Sequence, residues 1–345
     1  MGPRDRAPVS TPGHERDRGA RVIVIVNRRA RRLEATAGVH PLLEVLRAAR
    51  PDVRVIETHS MTELEATAAE LARDVPESIV LAGGDGSYMA GITALVSAFV
   101  AAGRSEDELP PIALAPGGTV STVARNWGFD GGGLFSRGEA GAARYAARLL
   151  DAVSRGQARS TLRPTLRARD DRTERIGFIF GAGLVSRFFE VYDEEGALGY
   201  RGAASIVARI FAGSLSRGAL AARVLTPVPC VVLVDGERTR EDRASLVCAS
   251  VVRDLGIGMR LLYRAGEEHD RFHVVATPLG PARLGPQLPL VLAGRPLLGA
   301  ANVDALARTL ELRFEGGGAY VLDGELLRTD RVVVTAGPVL RILSV

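Results

Sequence analysis

Two glycine-rich segments combine flexible backbone with residues that can do chemistry on a phosphate. The first is Gly83-Gly84-Asp85-Gly86-Ser87 and the second is Pro116-Gly117-Gly118-Thr119. Glycine lets a backbone approach a phosphate closely, and a helix N-terminus behind it adds N–H donors and partial positive charge. Ser87 and Thr119 add hydroxyl donors. One such loop alone is typical of a plain turn, but two of them, one with an aspartate, favour a nucleotide site.

A second chemical element is the tripeptide Asp-Gly-Glu, which occurs at Asp323-Gly324-Glu325 and at Asp235-Gly236-Glu237. An alcohol is a poor nucleophile, so a carboxylate that accepts its proton can activate it for attack on a phosphate. Both copies follow apolar runs, and both therefore also fit the tight turn of a β-hairpin. From the residues alone, Glu325 and Glu237 are both candidate bases.

The elements that must position these groups follow a regular alternation in the first part of the chain. Apolar, β-branched runs at residues 21–27, 53–58, 78–82 and 111–115 read as buried parallel strands. Helical patterns follow at residues 40–50, 61–74, 87–102, 120–126 and 141–155, and Thr62 with Glu65 reads as a capping box. This pattern predicts a doubly wound parallel sheet with both glycine loops and Asn27 at its carboxyl edge.

After residue 156 the pattern changes to short apolar runs separated by turn signals, which predicts an antiparallel β-sandwich. The predicted fold class is therefore α/β plus all-β. Residues 1–20 are predicted to be a disordered tail, 21–155 an α/β nucleotide domain and 156–327 a β-sandwich substrate domain. Residues 328–345 are expected to pack back on the first domain.

Composition excludes several classes of function. All 44 basic residues are Arg, so the Lys of a Walker-type phosphate loop and Schiff-base chemistry on Lys are both ruled out. A net charge of +4 is too small to indicate nucleic-acid binding. Cys230 and Cys248 lie in apolar surroundings and read as buried thiols in a reducing compartment. No apolar run is long enough to span a bilayer, and a cytoplasmic protein is predicted.

The segment Gly83-Gly84-Asp85-Gly86-Ser87 resembles the signature of the diacylglycerol kinase catalytic domain family, which includes bacterial lipid kinases and is related to sphingosine kinases and NAD kinases. The resemblance extends to other segments in the same order along the chain. These are Asn27 after the first strand, Thr58 after the second, the loop at 116–119, residues 180–184 with 199–200 downstream, and Asp323-Gly324-Glu325.

The resemblance implies roles for particular residues. The glycine loop at 83–87, with Gly118 and Thr119, would bind ATP phosphates, and Asn27 and Thr58 would contact the nucleotide. Glu325, in the family's catalytic position, would be the general base, with Glu237 the alternative. Asp85 would position substrate or magnesium. Asp270, with Glu267, matches the family's magnesium ligand, although a solvated acidic turn is the alternative for that segment.

The function implied by the resemblance is an ATP- and Mg²⁺-dependent lipid kinase that phosphorylates a hydroxyl of a lipid such as diacylglycerol. The expected partners are a lipid with a free hydroxyl and, transiently, the inner membrane surface. No nucleic acid is expected, and a homodimer is left open. The amphipathic segment at residues 200–220 either leans on a membrane or packs on the second domain.

Two rivals remain at this level, because the chain departs from the family pattern after both glycine loops. Met89 and Ala90 stand where the family often has Asn-Glu, and Val120-Ser121-Thr122 stands where it often has Gly-Asn-Asp. One rival is an NAD kinase-like phosphotransferase. The other is a nucleotide- or lipid-binding protein whose catalysis is weakened.

Overall fold

The computed structural model describes residues 22–27, 53–117, 121–128, 139–197 and 199–345. Within these ranges the strands form two sheets, one largely parallel and one antiparallel. The predicted fold class, an α/β layer followed by an antiparallel β layer, is confirmed. The predicted tail at 1–20 and the predicted helix at 40–50 lie outside the described residues.

The first sheet contains six described strands in the order β2-β1-β3-β4-β17-β5. These are β1 (Val22–Asn27), β2 (Val53–Thr58), β3 (Ser78–Gly83), β4 (Ile112–Pro116), β5 (Arg159–Arg163) and β17 (Leu340–Ser344). Strands β1, β3 and β4 are buried almost throughout, because their uninterrupted apolar sequences are covered on both faces. In the register of the parallel pairs, Asn27 is opposite Thr58 and Gly83 is opposite Pro116. The ends of these strands therefore meet at one edge.

The second sheet contains eleven described strands, which pair antiparallel. They are β6 (Leu166–Asp170), β7 (Glu174–Gly177), β8 (Ile179–Gly183), β9 (Val228–Val234), β10 (Glu237–Arg238), β11 (Arg243–Ala244), β12 (Leu246–Ser250), β13 (Phe272–Thr277), β14 (Val303–Ala307), β15 (Thr309–Leu322) and β16 (Glu325–Ala336).

Nine α-helices lie in the described ranges. They are α1 (Met61–Arg73), α2 (Asp85–Ala101), α3 (Thr122–Asn126), α4 (Glu139–Ser154), α5 (Leu184–Glu194), α6 (Gly199–Ser216), α7 (Ala219–Leu225), α8 (Pro281–Leu284) and α9 (Leu288–Leu292). Helix α1 is capped by Ser60, whose hydroxyl accepts from the Glu63 N–H, while Glu63 accepts from the His59 N–H. The capping pair is thus two residues earlier than the sequence pattern of Thr62 and Glu65 indicated.

Helix α2 connects the two sheets. Its sequence, DGSYMAGITALVSAFVA, carries one charged residue, and most side chains from Ser87 to Phe99 are buried. A helix that is apolar on most of its faces packs against protein on most of them, and here only its last turn is exposed. Its start follows β3 of the first sheet, and farther along the Thr93 hydroxyl donates to the Ile176 carbonyl and accepts from the Ile176 N–H of β7. One continuous hydrophobic core therefore includes residues of both sheets.

Two further contacts fasten the first domain to the second. The Trp127 ring packs edge-on against Phe178, with ring centroids 4.9 Å apart. The Asn126 amide donates to the Asp254 carbonyl at 2.8 Å and accepts from the Asp254 N–H at 3.1 Å. Asn126 is the last residue of α3 and Trp127 follows it. The end of this helix is therefore held against Phe178 and against Asp254, in the loop that follows β12.

Strand pairing divides the chain differently from the predicted boundaries at 155 and 327. Strand β5, which comes after residue 155, pairs with β17 in the first sheet. Strand β16 pairs with β15 and β6 in the second sheet, so within 328–345 only the segment from Leu340 returns to the first sheet. The chain thus crosses between the sheets twice after the first domain.

A second hydrophobic core lies under a layer of helices on the antiparallel sheet. It includes Val191 of α5, Ile206 and Ile210 of α6, and Leu284 of α8. Helix α6 therefore packs on the second domain along one side, as one of its two predicted roles required. No described helix is both long and apolar enough to cross a lipid bilayer.

Both cysteines are buried and unpaired, as expected from their apolar surroundings. Burial raises the pKa of each thiol to about 12. Neither thiol is therefore a nucleophile at neutral pH.

Substitution of Gly177, at the end of β7, tests how tightly the hairpin at Asp323 packs against this strand. A methyl group at Gly177 would lie 2.5 Å from Asp323 Oδ2 and 2.9 Å from Leu322. We expect Gly177→Ala to destabilise the protein by about 1–3 kcal/mol in chemical denaturation, since such overpacking must shift the hairpin. Gly280→Ala is the control, because a methyl there meets nothing within 4 Å. Equal stabilities of the two variants would contradict this packing.

Candidate active site

The glycine loop at 83–87 forms the junction between β3 and α2. Gly84 is the N-cap of α2, with no side chain to cap the helix, and Asp85 is the first helical residue. The first N–H groups of a helix have no acceptor within the helix and carry partial positive charge. Gly83 is held close to Ser87, since a methyl group at Gly83 would come within 2.5 Å of Ser87 Cβ. The loop is therefore as compact as a phosphate cradle requires.

The second glycine loop begins beside the first. The Gly117 N–H donates to the Gly83 carbonyl at 2.8 Å. Gly118 and Thr119, the predicted phosphate ligands of this loop, lie outside the described residues. The chain enters this loop at the same edge of the parallel sheet as Gly83, as the strand pattern predicted.

Glu325 lies directly against the first loop. A methyl group on Gly86 would be 3.4 Å from Glu325 Oε1 and 3.7 Å from its Cγ. Gly86 is in the first turn of α2, and Glu325 is the first residue of β16 in the other sheet. A carboxylate from the antiparallel sheet thus stands beside a helix N-terminus of the parallel sheet.

Glu325 is presented by a tight hairpin turn. Asp323 and Gly324 both have positive φ, +49° and +87°, and Leu322 pairs with Glu325 across the turn. Positive φ at both central residues is the signature of a type I′ turn, for which Asp-Gly is a preferred pair. The tripeptide Asp-Gly-Glu therefore forms the turn and also positions the Glu325 carboxylate.

The hairpin is anchored through the Asp323 side chain. Its carboxylate accepts hydrogen bonds from the Phe178 N–H at 3.0 Å and the Ile179 N–H at 2.9 Å, and the Asp323 N–H donates to the Ile179 carbonyl at 3.0 Å. Burial raises the pKa of Asp323 well above its usual range, and the charges of Asp85 and Glu325 add to this, while the two N–H groups oppose it. Sequence reasoning assigned no role to Asp323, although it lies within the motif.

Asp85 has a structural task that the sequence did not reveal. Its two carboxylate oxygens accept from the Thr122 N–H at 2.8 Å and the Val123 N–H at 2.9 Å, so Asp85 caps α3 from a distant part of the chain. Burial raises its pKa, although these N–H groups and the charge of Arg125 pull the other way. Asp85 is predicted to position substrate or magnesium, and this capping is what its oxygens do in the structure.

Asn27 and Thr58 occupy neighbouring strand ends at the edge where the nucleotide is predicted. The Thr58 side chain is buried and its hydroxyl points toward the Val26 carbonyl, 3.5 Å away. Thr58 thus stabilises the end of the sheet from within. Their contact with a nucleotide remains a prediction.

The departures from the family pattern have a physical explanation. Met89 and Ala90 are buried in the core between the sheets. Ser121 and Thr122 are also buried, and the Thr122 N–H is the one bound by Asp85. Met89 and Ala90 therefore serve packing, while the Thr122 side chain also hydrogen-bonds Asp85 and the Ser121 side chain hydrogen-bonds Tyr88. Val120 lies outside the described residues.

The predicted metal ligands form ion pairs in the structure. Asp270 is exposed and paired with Arg308 at 2.6 Å, which lowers the Asp270 pKa, and Glu267 pairs with Arg264 at 3.3 Å. Within the described ranges, no three His, Cys, Asp or Glu side chains are arranged to hold a metal ion. In the structure each of these carboxylates is paired with an arginine, and magnesium binding by Asp270 and Glu267 remains a prediction.

The other Asp-Gly-Glu copy is a turn at a different place. Asp235 and Gly236 again have positive φ, and Asp235 accepts from the N–H groups of Arg308 and Thr309, both at 2.8 Å. Glu237 is exposed on the short strand β10. The two copies thus share a turn conformation, and only Glu325 meets the glycine loop.

Comparison with known proteins adds to this geometry. The family model "Diacylglycerol kinase catalytic domain" matches residues 21–158. This segment is therefore similar to the diacylglycerol kinase catalytic domain family. The match includes the glycine loop at 83–87 and indicates a kinase-type phosphotransferase domain. No curated protein is similar enough to the chain to count as a match.

Solved structures resemble the chain over nearly its whole length. One, provisionally named a diacylglycerol kinase, from Bacillus anthracis str. Sterne, has 18% identity and a TM-score of 0.64, covering 94% of this chain and 95% of that one. A second with the same provisional name and organism has 17% identity and a TM-score of 0.61, covering 95% and 98%. A third, a diacylglycerol kinase of that organism, has 16% identity and a TM-score of 0.56, also covering 95% and 98%. At these identities the likeness shows a shared two-domain fold.

Gly86→Ala separates binding from stability. Alanine is favoured over glycine by about 1 kcal/mol in a helix, so the folded protein should be at least as stable as wild type. The new methyl group would fill the space between the α2 N-terminus and Glu325. We expect ATP affinity, measured by calorimetry, to fall by at least about tenfold. Unchanged ATP affinity in a folded variant would contradict a phosphate site here.

Asp323→Asn tests the anchored carboxylate through pH. Because the folded-state pKa of Asp323 lies above the unfolded value of about 3.9, its contribution to stability is present at low pH and is lost as pH rises through the folded pKa. Asn retains an oxygen acceptor but does not ionise. We expect thermal unfolding of the variant to depend less on pH than that of wild type. Identical pH profiles would contradict the raised pKa.

Proposed function

We propose that this protein is an ATP-dependent kinase that transfers the γ-phosphate to a hydroxyl of a lipid such as diacylglycerol. The observation that carries the proposal is the meeting of Gly86 and Glu325. A site for phosphates and a carboxylate base, contributed by different sheets, adjoin without intervening side chains at this point. The family match over residues 21–158 supports the same reaction class.

Phosphate binding is assigned to the backbone at the start of α2. A chain without Lys must hold ATP phosphates with N–H groups, arginines or a metal ion. Gly84, Gly86 and Ser87 present backbone N–H groups at the positive end of a buried helix, where water screens little. Gly118 and Thr119 remain predicted phosphate ligands.

Glu325 is assigned as the general base. As the acceptor oxygen forms its bond to the γ-phosphorus, its proton passes to the Glu325 carboxylate, the bond from the γ-phosphorus to the bridging oxygen breaks, and ADP leaves. The short turn anchored by Asp323 limits the freedom of Glu325 and so keeps the base in place.

The acceptor is assigned to the outer side of the hairpin, where aromatic rings begin. A methyl group at Gly324 would lie 3.7 Å from the Phe189 ring of α5. Phe189 packs edge-on against Phe188, and Tyr192 lies 6.3 Å from Phe189 between ring centroids. All three rings are partly exposed. An apolar aromatic wall next to the base suits the glycerol and upper acyl carbons of a lipid.

We expect Mg²⁺ to bind together with ATP, mainly through the phosphate oxygens. Mg²⁺ commonly binds through phosphate oxygens and waters with few protein ligands. Asp323 and Asp85 already direct their oxygens at backbone N–H groups, and Asp270 and Glu267 are paired with arginines. We therefore expect the ion to arrive with ATP and to neutralise the phosphate chain.

The experiment compares Glu325→Gln with Glu237→Gln. Radiolabelled ATP and magnesium are supplied with short-chain diacylglycerol dispersed in detergent, and labelled lipid is counted. Loss of a general base lowers the rate by about 10²- to 10⁴-fold. We expect that loss in Glu325→Gln, with ATP affinity retained, and wild-type rates in Glu237→Gln, which has the same Asp-Gly-Glu context at a different place.

Three results would contradict the proposal. ATP binding without transfer to any lipid in a total extract would favour a binding protein that has lost catalysis. Transfer to NAD in place of lipid would favour a ribose kinase, the other rival. Equal rates in wild type and Glu325→Gln would remove Glu325 from its role.

A further inference from the structure

Two stretches of the second domain contain arginine but no acidic residue. Residues 196–234 carry Arg201, Arg209, Arg217 and Arg223 without a single Asp or Glu, and residues 271–303 carry Arg271, Arg283 and Arg295 without one. In a chain with 40 acidic residues, two acid-free stretches of this length concentrate positive charge. Helices α6 to α9 all lie within them.

The two stretches come together on the surface. Ser214, near the end of α6, contacts Gly285 so closely that a methyl group on Gly285 would collide with it. Gln287 then binds Leu298 twice, accepting from its N–H at 2.6 Å and donating to its carbonyl at 3.0 Å, and also donates to the Arg283 carbonyl at 2.9 Å. The end of α6, the turn at 285–287 and the segment around Leu298 are therefore neighbours.

Three leucines at this place point into solvent. Leu215, Leu292 and Leu298 are 62%, 46% and 67% exposed. Leu297, next to Leu298 in the chain, and Leu284 of α8 are by contrast buried in the second hydrophobic core. Single exposed leucines are ordinary, but three on adjoining elements form an apolar group outside the core.

Three arginines lie on the same segments as these leucines. Across the described ranges, Arg217, Arg283 and Arg295 are exposed and form no ion pair, whereas Arg209 of α6 and Arg223 of α7 pair with Glu195 and Glu194. The group of Leu215, Leu292, Leu298, Arg217, Arg283 and Arg295 is called the leucine-arginine patch below.

We propose that the leucine-arginine patch docks the protein on an anionic lipid bilayer. Leucines that protrude among unpaired arginines match a membrane surface, because the apolar tips enter the acyl boundary while guanidinium groups bind lipid phosphates. A second copy of this chain fits less well, since a symmetric dimer through this patch would oppose arginine with arginine. This inference rests on the proposed function in one respect, namely that a lipid kinase must reach its lipid substrate.

The leucine-arginine patch and the aromatic rings beside Glu325 lie on one layer of helices. Val191 of α5, two residues from Phe189, shares its core with Ile206 and Ile210 of α6. A protein held by the end of α6 therefore keeps the rings beside Glu325 in the same rigid layer as its membrane contact. Docking would raise the concentration of acceptor that these rings meet.

Co-sedimentation with vesicles tests the proposal on the full chain. Phosphatidylcholine vesicles with and without phosphatidylglycerol are mixed with wild type, with Leu215→Ser/Leu298→Ser and with Arg283→Gln/Arg295→Gln. We expect wild type to bind only anionic vesicles, the leucine pair to lose at least about tenfold in affinity, and each lost arginine to cost about fivefold. Val100→Ser, an equally exposed apolar site on α2, should bind as wild type does.

Three results would overturn the proposal: no binding of wild type to anionic vesicles, equal binding by all variants, or a dimer in sedimentation velocity that the leucine pair dissociates. Circular dichroism verifies that each variant is folded. The test is independent of turnover, because phosphorylation of detergent-dispersed diacylglycerol reports on Glu325 and vesicle binding does not. Wild-type rates on dispersed lipid in the leucine pair, with vesicle binding lost, would be the expected combination.

Discussion

The structure depends on a single helix that belongs to both sheets. Helix α2 starts at the glycine loop of the parallel sheet and is buried over most of its length, with Thr93 bound to the backbone of β7. Each fully buried Leu, Ile or Phe of such a helix contributes about 1.5–3 kcal/mol. The same burial that stabilises the fold therefore sets the distance between the glycine loop and the second sheet. The contact of Gly86 with Glu325 is a consequence of this packing.

The site is also held by backbone hydrogen bonds to two aspartates. Asp85 binds the first N–H groups of α3, and Asp323 binds the N–H groups that open β8. Both carboxyls have raised pKa values because they are buried. Because folding raises these pKa values, the folded protein loses stability as the pH rises through them. The hydrogen bonds of the two carboxyls in turn fix the positions of α3 and of the hairpin that carries Glu325.

Sequence patterns predicted most of the frame and part of the site. Buried strands such as β1 and β3 can be recognised in the sequence as uninterrupted apolar runs rich in β-branched residues. Because such strands pair in parallel, the loops that follow them lie at the same edge of the sheet. The residues alone did not distinguish Glu325 from Glu237, because both tripeptides encode the same turn; the resemblance favoured Glu325, and in the structure Glu325 is the copy that lies beside the glycine loop. Long-range partners were also invisible in the sequence: Asp85 caps a helix 37 residues away, and Asp270 meets an arginine 38 residues away.

The central claim is that ATP lies between the two sheets, with its phosphates on α2 and its terminal phosphate toward Glu325. A crystal structure with a non-hydrolysable ATP analogue tests this most directly. The account predicts phosphate oxygens within hydrogen-bonding distance of the backbone at Gly84 to Ser87, and the γ-phosphorus on the Glu325 side. An analogue bound elsewhere, or one whose γ-phosphate points away from Glu325, would contradict it.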